Sequence, residues 1–153
     1  MRFGVVLLPW LLLAGCDEDK PPPELTVPLA GTEFRLELAL TDAQIRTGMM
    51  GRTQLDPNAG MLFVFRDERP RRFWMKDCLI PLDVLFLDKT GRIVSIHTMA
   101  VPTPQEADGP PSYPSHWPAQ FAIELNAGRA EELKLEPGDR VPLPLPKLNR
   151  WAR

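Results

Sequence analysis

The chain has no excess of positive charge: 18 lysines and arginines stand against 20 acids, for a formal net charge of −2. A grip on nucleic acid needs a basic face, so no nucleic-acid partner is expected. Histidine is scarce, and neither His97 nor His116 has cysteine or acid partners at metal-ligand spacing. No metal and no cofactor are expected on that ground. Long hydrophobic runs are lacking too. The run Phe3–Leu13 covers 11 residues, well short of the roughly 20 that span a bilayer. There is no internal repeat, and 153 residues fill one domain. With only two cysteines, no disulfide framework is available.

What the chain does have begins with an address. Arg2 followed by the apolar run makes a targeting segment, and Leu13-Ala-Gly-Cys16 puts small residues before a cysteine. That arrangement resembles the bacterial lipoprotein box. The resemblance implies removal of residues 1–15, lipidation of Cys16, and a membrane-anchored protein on the periplasmic side of the envelope. Asp17 resembles the signal that retains lipoproteins at the inner membrane. Residues 16–24, with Pro21-Pro-Pro23, read as a stiff tether. A lipid-consumed Cys16 leaves Cys78 alone, and a buried thiol is expected there rather than a nucleophile.

The remainder reads as strands. Phe34, Leu36, Leu38 and Leu40 alternate with Arg35, Glu37 and Ala39, the period of a half-buried strand. Thr41 with Gln44 is a capping box opening a helix from Asp42 to about Met50. Gly60–Phe65 is apolar throughout, as for a strand covered on both faces. Residues 66–72 carry four arginines and Pro70 and read as a solvated loop. Six prolines between 102 and 118 argue against a regular element there. Strands follow at 119–125 and 140–143, a short helix lies between them, and a proline–leucine tail follows. The expectation is a mainly β fold: one compact barrel-like or sandwich-like domain over 25–146, of about seven or eight strands with one or two short helices, then a tail over 147–153.

The chain is organised around Phe73–Asp88. From Leu82 the pattern has period two, with Leu82, Val84 and Phe86 on one face and Asp83, Leu85 and Leu87 on the other. Asp83 is a charge inside greasy sequence, and Glu124 is a second one among Phe121, Ala122, Ile123 and Leu125. An unpaired buried charge is costly, so each should be paired, hydrogen-bonded or at a cavity mouth.

Arg46, Met50 and Arg52, then Gly60–Phe65, Phe73-Trp-Met-Lys-Asp-Cys-Leu-Ile-Pro-Leu-Asp83, Gly91-Arg-Ile93, Phe121–Gly128 and Gly138-Asp139 together resemble a prokaryotic family, domain of unknown function 192. The likeness covers roughly residues 25–143. It implies a compact β domain, commonly behind a signal peptide or lipid anchor, and supplies no activity. Many members carry asparagine-threonine where this chain has Asp77-Cys78.

Three functions are compatible with these residues. The first is a binding module for a small or extended polar ligand, using Lys76, Asp83 and Glu124 framed by Trp74, with Arg46 and Arg52 from the helix. These charges can instead pair among themselves and lock strand register. The second is a hydrolase with Asp83 and Glu124 as paired carboxylates. The third is an envelope adaptor that meets a partner protein through its proline-rich loop and tail. The partners expected are thus the membrane, through lipid on Cys16, and a small molecule or an envelope protein.

Overall fold

The computed structural model describes residues 20–106 and 109–152. The leader, the lipid box at Cys16, Asp17 and the start of the tether lie outside them. Among the described residues, no helix is long and apolar enough to cross a membrane.

The fold is mainly β. Strands β1 (Glu24–Leu29), β2 (Thr32–Ala39), β3 (Ala59–Trp74), β4 (Leu82–Leu87), β5 (Ile93–Met99) and β6 (Ser112–Asn126) form one sheet in the order β1-β2-β3-β6-β4-β5. Only β2 and β3 run parallel. Their crossover holds α1 (Asp42–Thr47), while α2 (Arg129–Glu132) and α3 (Leu145–Trp151) follow β6. The sheet is open, with β1 and β5 at its edges, so among the described residues it is a six-stranded sheet and not a closed barrel of seven or eight strands. Pro28 in edge strand β1 faces Glu33, on a border where a missing donor is tolerated.

Four segments differ from expectation. Residues 66–74 and 112–118 are not loops but the outer halves of β3 and β6, paired as a ribbon with register breaks after Val64 and Pro70. Pro70 faces Pro118, so two residues without N–H groups share one rung. Phe73 on this ribbon packs edge-on against Phe63, Phe65 and Phe86, with ring centroids 4.9, 6.4 and 5.2 Å apart. The ribbon therefore curls back over the sheet, as bulges allow. The proline–leucine tail turns into α3, which buries Leu148 and Trp151. Finally, 140–143 adds only a single bridge, Arg92 to Arg140, and no strand.

Period-two alternation sorts the side chains into two cores. Leu36, Leu62, Leu85, Ile123 and Trp151 belong to one, and Met49, Met61, Phe63, Val84 and Phe86 to the other. The second core lies on the face that α1 and the curled ribbon cover. It also carries the cleft described next.

Candidate functional site

A cleft of about 840 Å³ opens between α1 with its following turn, the β3 segment 63–74, and the loop 76–78. Its apolar lining comes from Ile45, Met49, Phe63, Phe65 and Phe73. One wall is set by the capping box: Gln44 N–H donates to Thr41 Oγ1 at 3.2 Å, and Thr41 N–H donates back to Gln44 Oε1 at 3.0 Å. The helix stops at Gly48, three residues before the expected Gly51, because Gly48 takes φ +46° and the chain turns there. Gly51 N–H then donates to Asp77 O at 2.9 Å, tying this wall to the 76–78 loop. Asp77 itself has φ +55°.

Glu124 of β6 reaches the cleft from the sheet. Its neighbours across the ladder are Met61 and Val84, both in the second core. It is 4% exposed, and its Oε2 has no hydrogen-bond partner among the described residues. A Cβ built on Gly48 would stand 3.9 Å from that oxygen and 3.3 Å from the Phe63 ring. The bare glycine backbone therefore keeps the approach to the carboxyl clear. Burial raises the Glu124 carboxyl from an ordinary 4.5 to about 8, so it is chiefly the neutral acid at pH 7. A neutral carboxyl both donates and accepts a hydrogen bond.

The rim is cationic. Arg46, Arg66, Arg69, Arg71, Arg72 and Lys76 line it, against Asp42, Asp67 and Asp77. Some of these cations are already engaged. Asp67 takes Arg69 at 3.4 Å and Arg71 at 2.8 Å. Arg71 lies 4.0 Å over the Phe65 ring and donates to Ala119 O. Arg72 donates to Ser112 Oγ at 2.8 Å. Arg46, Arg66 and Lys76 have no ion-pair partner among the described residues. Lys76 Nζ stands 5.7 Å from the half-exposed Trp74 ring.

The structure thus brings Arg46, Trp74, Lys76 and Glu124 to one cleft and leaves Arg52 and Asp83 elsewhere. Arg52 forms a two-pronged pair with Glu37 of β2, at 2.7 and 2.6 Å. That hydrogen bond raises the guanidinium pKa. Asp83 faces Leu125 across the ladder and so belongs to the opposite face from Glu124. Its oxygens accept from Thr98 Oγ1 at 2.7 Å and from Ala130 N–H at 2.8 Å, which ties β5 and the start of α2 to β4. Asp83 and Glu124 are therefore not an acid/base pair, because the sheet lies between them. Asp83 is held by a hydroxyl and a backbone N–H, and it forms an ion pair with none of the named cations among the described residues.

The family model for DUF192, an uncharacterized ACR, matches residues 25–143. The chain belongs to the DUF192 family. No curated protein matches it. Two solved structures are similar to this DUF192 chain, each at 34% identity. One is a candidate transcription regulator from Sinorhizobium meliloti 1021, with a TM-score of 0.67 and coverage of 76% of this chain and 88% of that one. The other is a protein of unknown function from Novosphingobium aromaticivorans DSM 12444, with a TM-score of 0.69 and coverage of 78% and 84%.

Several cleft residues of the DUF192 domain carried no sequence signal of a site. Phe73, Met49 and Gly48 carry none, while Arg66 is one of four arginines over 66–72 that could meet an anionic partner but read first as a solvated loop. Cys78 is buried beside the cleft. Burial first, then the nearby Glu124 and Asp77 charges, push its thiol to about 11, so it is a poor nucleophile at neutral pH. The left-handed backbone at Asp77 suits an aspartate, since Asn and Asp adopt that conformation more readily than other side chains. His97 bonds Pro114 O at 2.8 Å, and the described residues hold no cluster able to bind a metal.

Proposed function

We propose that this protein is a binding module whose cleft between α1 and the curled β3–β6 ribbon receives a small or extended polar ligand. One observation carries the reading: Glu124 Oε2 is buried and unpartnered beside an open cleft. Leaving such a group unsatisfied costs about 1–3 kcal/mol. A ligand hydroxyl, carbonyl or amide reaching Glu124 would recover it, with Lys76, Arg46 and Trp74 contacting the outer part of the ligand. The sequence around Cys16 supports presenting this module from a lipid anchor on the periplasmic side of the envelope, and Asp17 favours the inner membrane. The hydrolase reading has lost its carboxylate pair and is not favoured.

Isothermal titration of the purified full chain against envelope metabolites and cell-wall fragments tests the reading. A ligand whose affinity falls at least tenfold in Glu124→Ala, with the fold intact by circular dichroism, is the expected result. Binding unchanged by Glu124→Ala would overturn it. Mass spectrometry of membrane fractions, seeking a diacylglyceryl group on Cys16, tests the anchor.

A further inference from the structure

We propose that the ligand is an amphipathic anion, with its apolar body against Met49, Phe63, Phe65 and Phe73 and its acid group between Arg46, Arg66 and Lys76. This rests on the binding reading above and adds the ligand's charge and shape.

Three observations combine. The first is a charge imbalance. The rim carries six cations against three exposed carboxylates, on a chain whose overall formal charge is −2. The local sign is opposite to the global one, and clefts lined by one sign concentrate ligands of the other. The second is the state of the cations. Arg69 and Arg71 are committed to Asp67, whereas Arg46, Arg66 and Lys76 have no carboxylate partner among the described residues. Arg46 lies on the α1 wall and Arg66 on β3, with Lys76 on the joining loop. Three walls therefore each offer an uncommitted cation. The third is the interior, which presents three aromatic rings and a methionine. A purely polar anion such as inorganic phosphate would leave that lining wet, and a purely apolar molecule would leave the cations unused. Glu124 does not oppose an anion while burial keeps it neutral.

A matched dye pair tests the assignment. 1-Anilinonaphthalene-8-sulfonate and N-phenyl-1-naphthylamine share one apolar body and differ in the sulfonate. In fluorescence titrations of the full chain, the sulfonate dye should bind about tenfold more tightly, the effect of one well-placed charge contact. The double variant Arg46→Ala, Lys76→Ala should bring the two dyes within about twofold. Equal affinity of the native chain for both dyes would overturn the anion assignment while leaving the cleft as a binding site. A preference that survives the double variant would overturn it as well. Binding of neither dye would defeat the cleft reading itself. Displacement of the sulfonate dye then separates two sources of the same chemistry. Dodecanoate as the effective competitor supports a free amphiphilic acid, and phosphatidylglycerol vesicles as the effective competitor support an anionic lipid headgroup. Failure of both to compete would overturn the amphiphile assignment.

Discussion

Replacing Glu124 by glutamine should stabilise the protein, increasingly so as pH rises. The carboxyl is buried with one oxygen unpartnered, and its pKa moves from 4.5 to about 8 on folding. Below pH 4.5 the group is protonated in both states and its ionisation adds no penalty. Between 4.5 and 8 the unfolded chain releases the proton and the folded chain keeps it, so stability falls with rising pH. The slope is about 1.4 kcal/mol per pH unit. At pH 7 the ceiling of the penalty is about 3 kcal/mol, and above pH 8 it levels near about 5 kcal/mol. Glutamine has nearly the same shape and does not titrate. Urea denaturation of both proteins at pH 4, 5.5, 7 and 8.5 reads the difference directly. The curves should nearly coincide at pH 4. At pH 7 the variant's midpoint should lie higher by about 1 M or more, given m-values of about 1–3 kcal/mol/M. A stability difference that is flat across this range, or that shrinks as pH rises, would refute the argument. A chain that keeps an ionisable group at this cost is keeping it for something other than folding.

Other substitutions separate structure from site. Asp83→Ala removes the acceptor of one buried and one part-buried bond; urea denaturation should show a loss of roughly 3 kcal/mol, since bonds to charged groups are worth ~1.5–3 each, with dye binding at the cleft retained. Gly60→Ala should unfold the protein or cost about 3 kcal/mol in the same assay, as overpacking does: a Cβ there would meet the Glu124 carbonyl oxygen at 2.4 Å and Leu125 at 2.8 Å. Cys78 should alkylate slowly. A thiol raised from 9.0 to about 11 holds roughly one-hundredth of the ordinary thiolate at pH 8, so iodoacetamide labelling followed by mass spectrometry should run about a hundredfold slower than for a free thiol.

Local patterns were legible in the sequence where one residue type repeats at one period. The alternation of β4 and of β6 beyond Ala119 shows this, and the capping box likewise marks the start of α1. The outer halves of β3 and β6 were not legible. Most of their side chains face solvent on the ribbon, so arginines and prolines mask the strand period, and pairing between residues roughly forty or more apart is not a local signal. The same limit governs the site. Alternation tells which side chains share a face within β4 or within β6. Only the ladder register, Val84 opposite Glu124 and Leu125 opposite Asp83, tells that the two carboxylates face apart. Arg52 was read as a free cation beside Arg46, but its partner Glu37 lies on a strand fifteen residues earlier.

The wall holding Arg46 belongs to the crossover between the two parallel strands, β2 and β3, and not to the sheet ladder. Residues 40–58 can therefore gain or lose length without disturbing a rung of the sheet. The capacity and depth of the cleft can change through insertions in this one connection, while the strand residues that build most of both cores stay as they are.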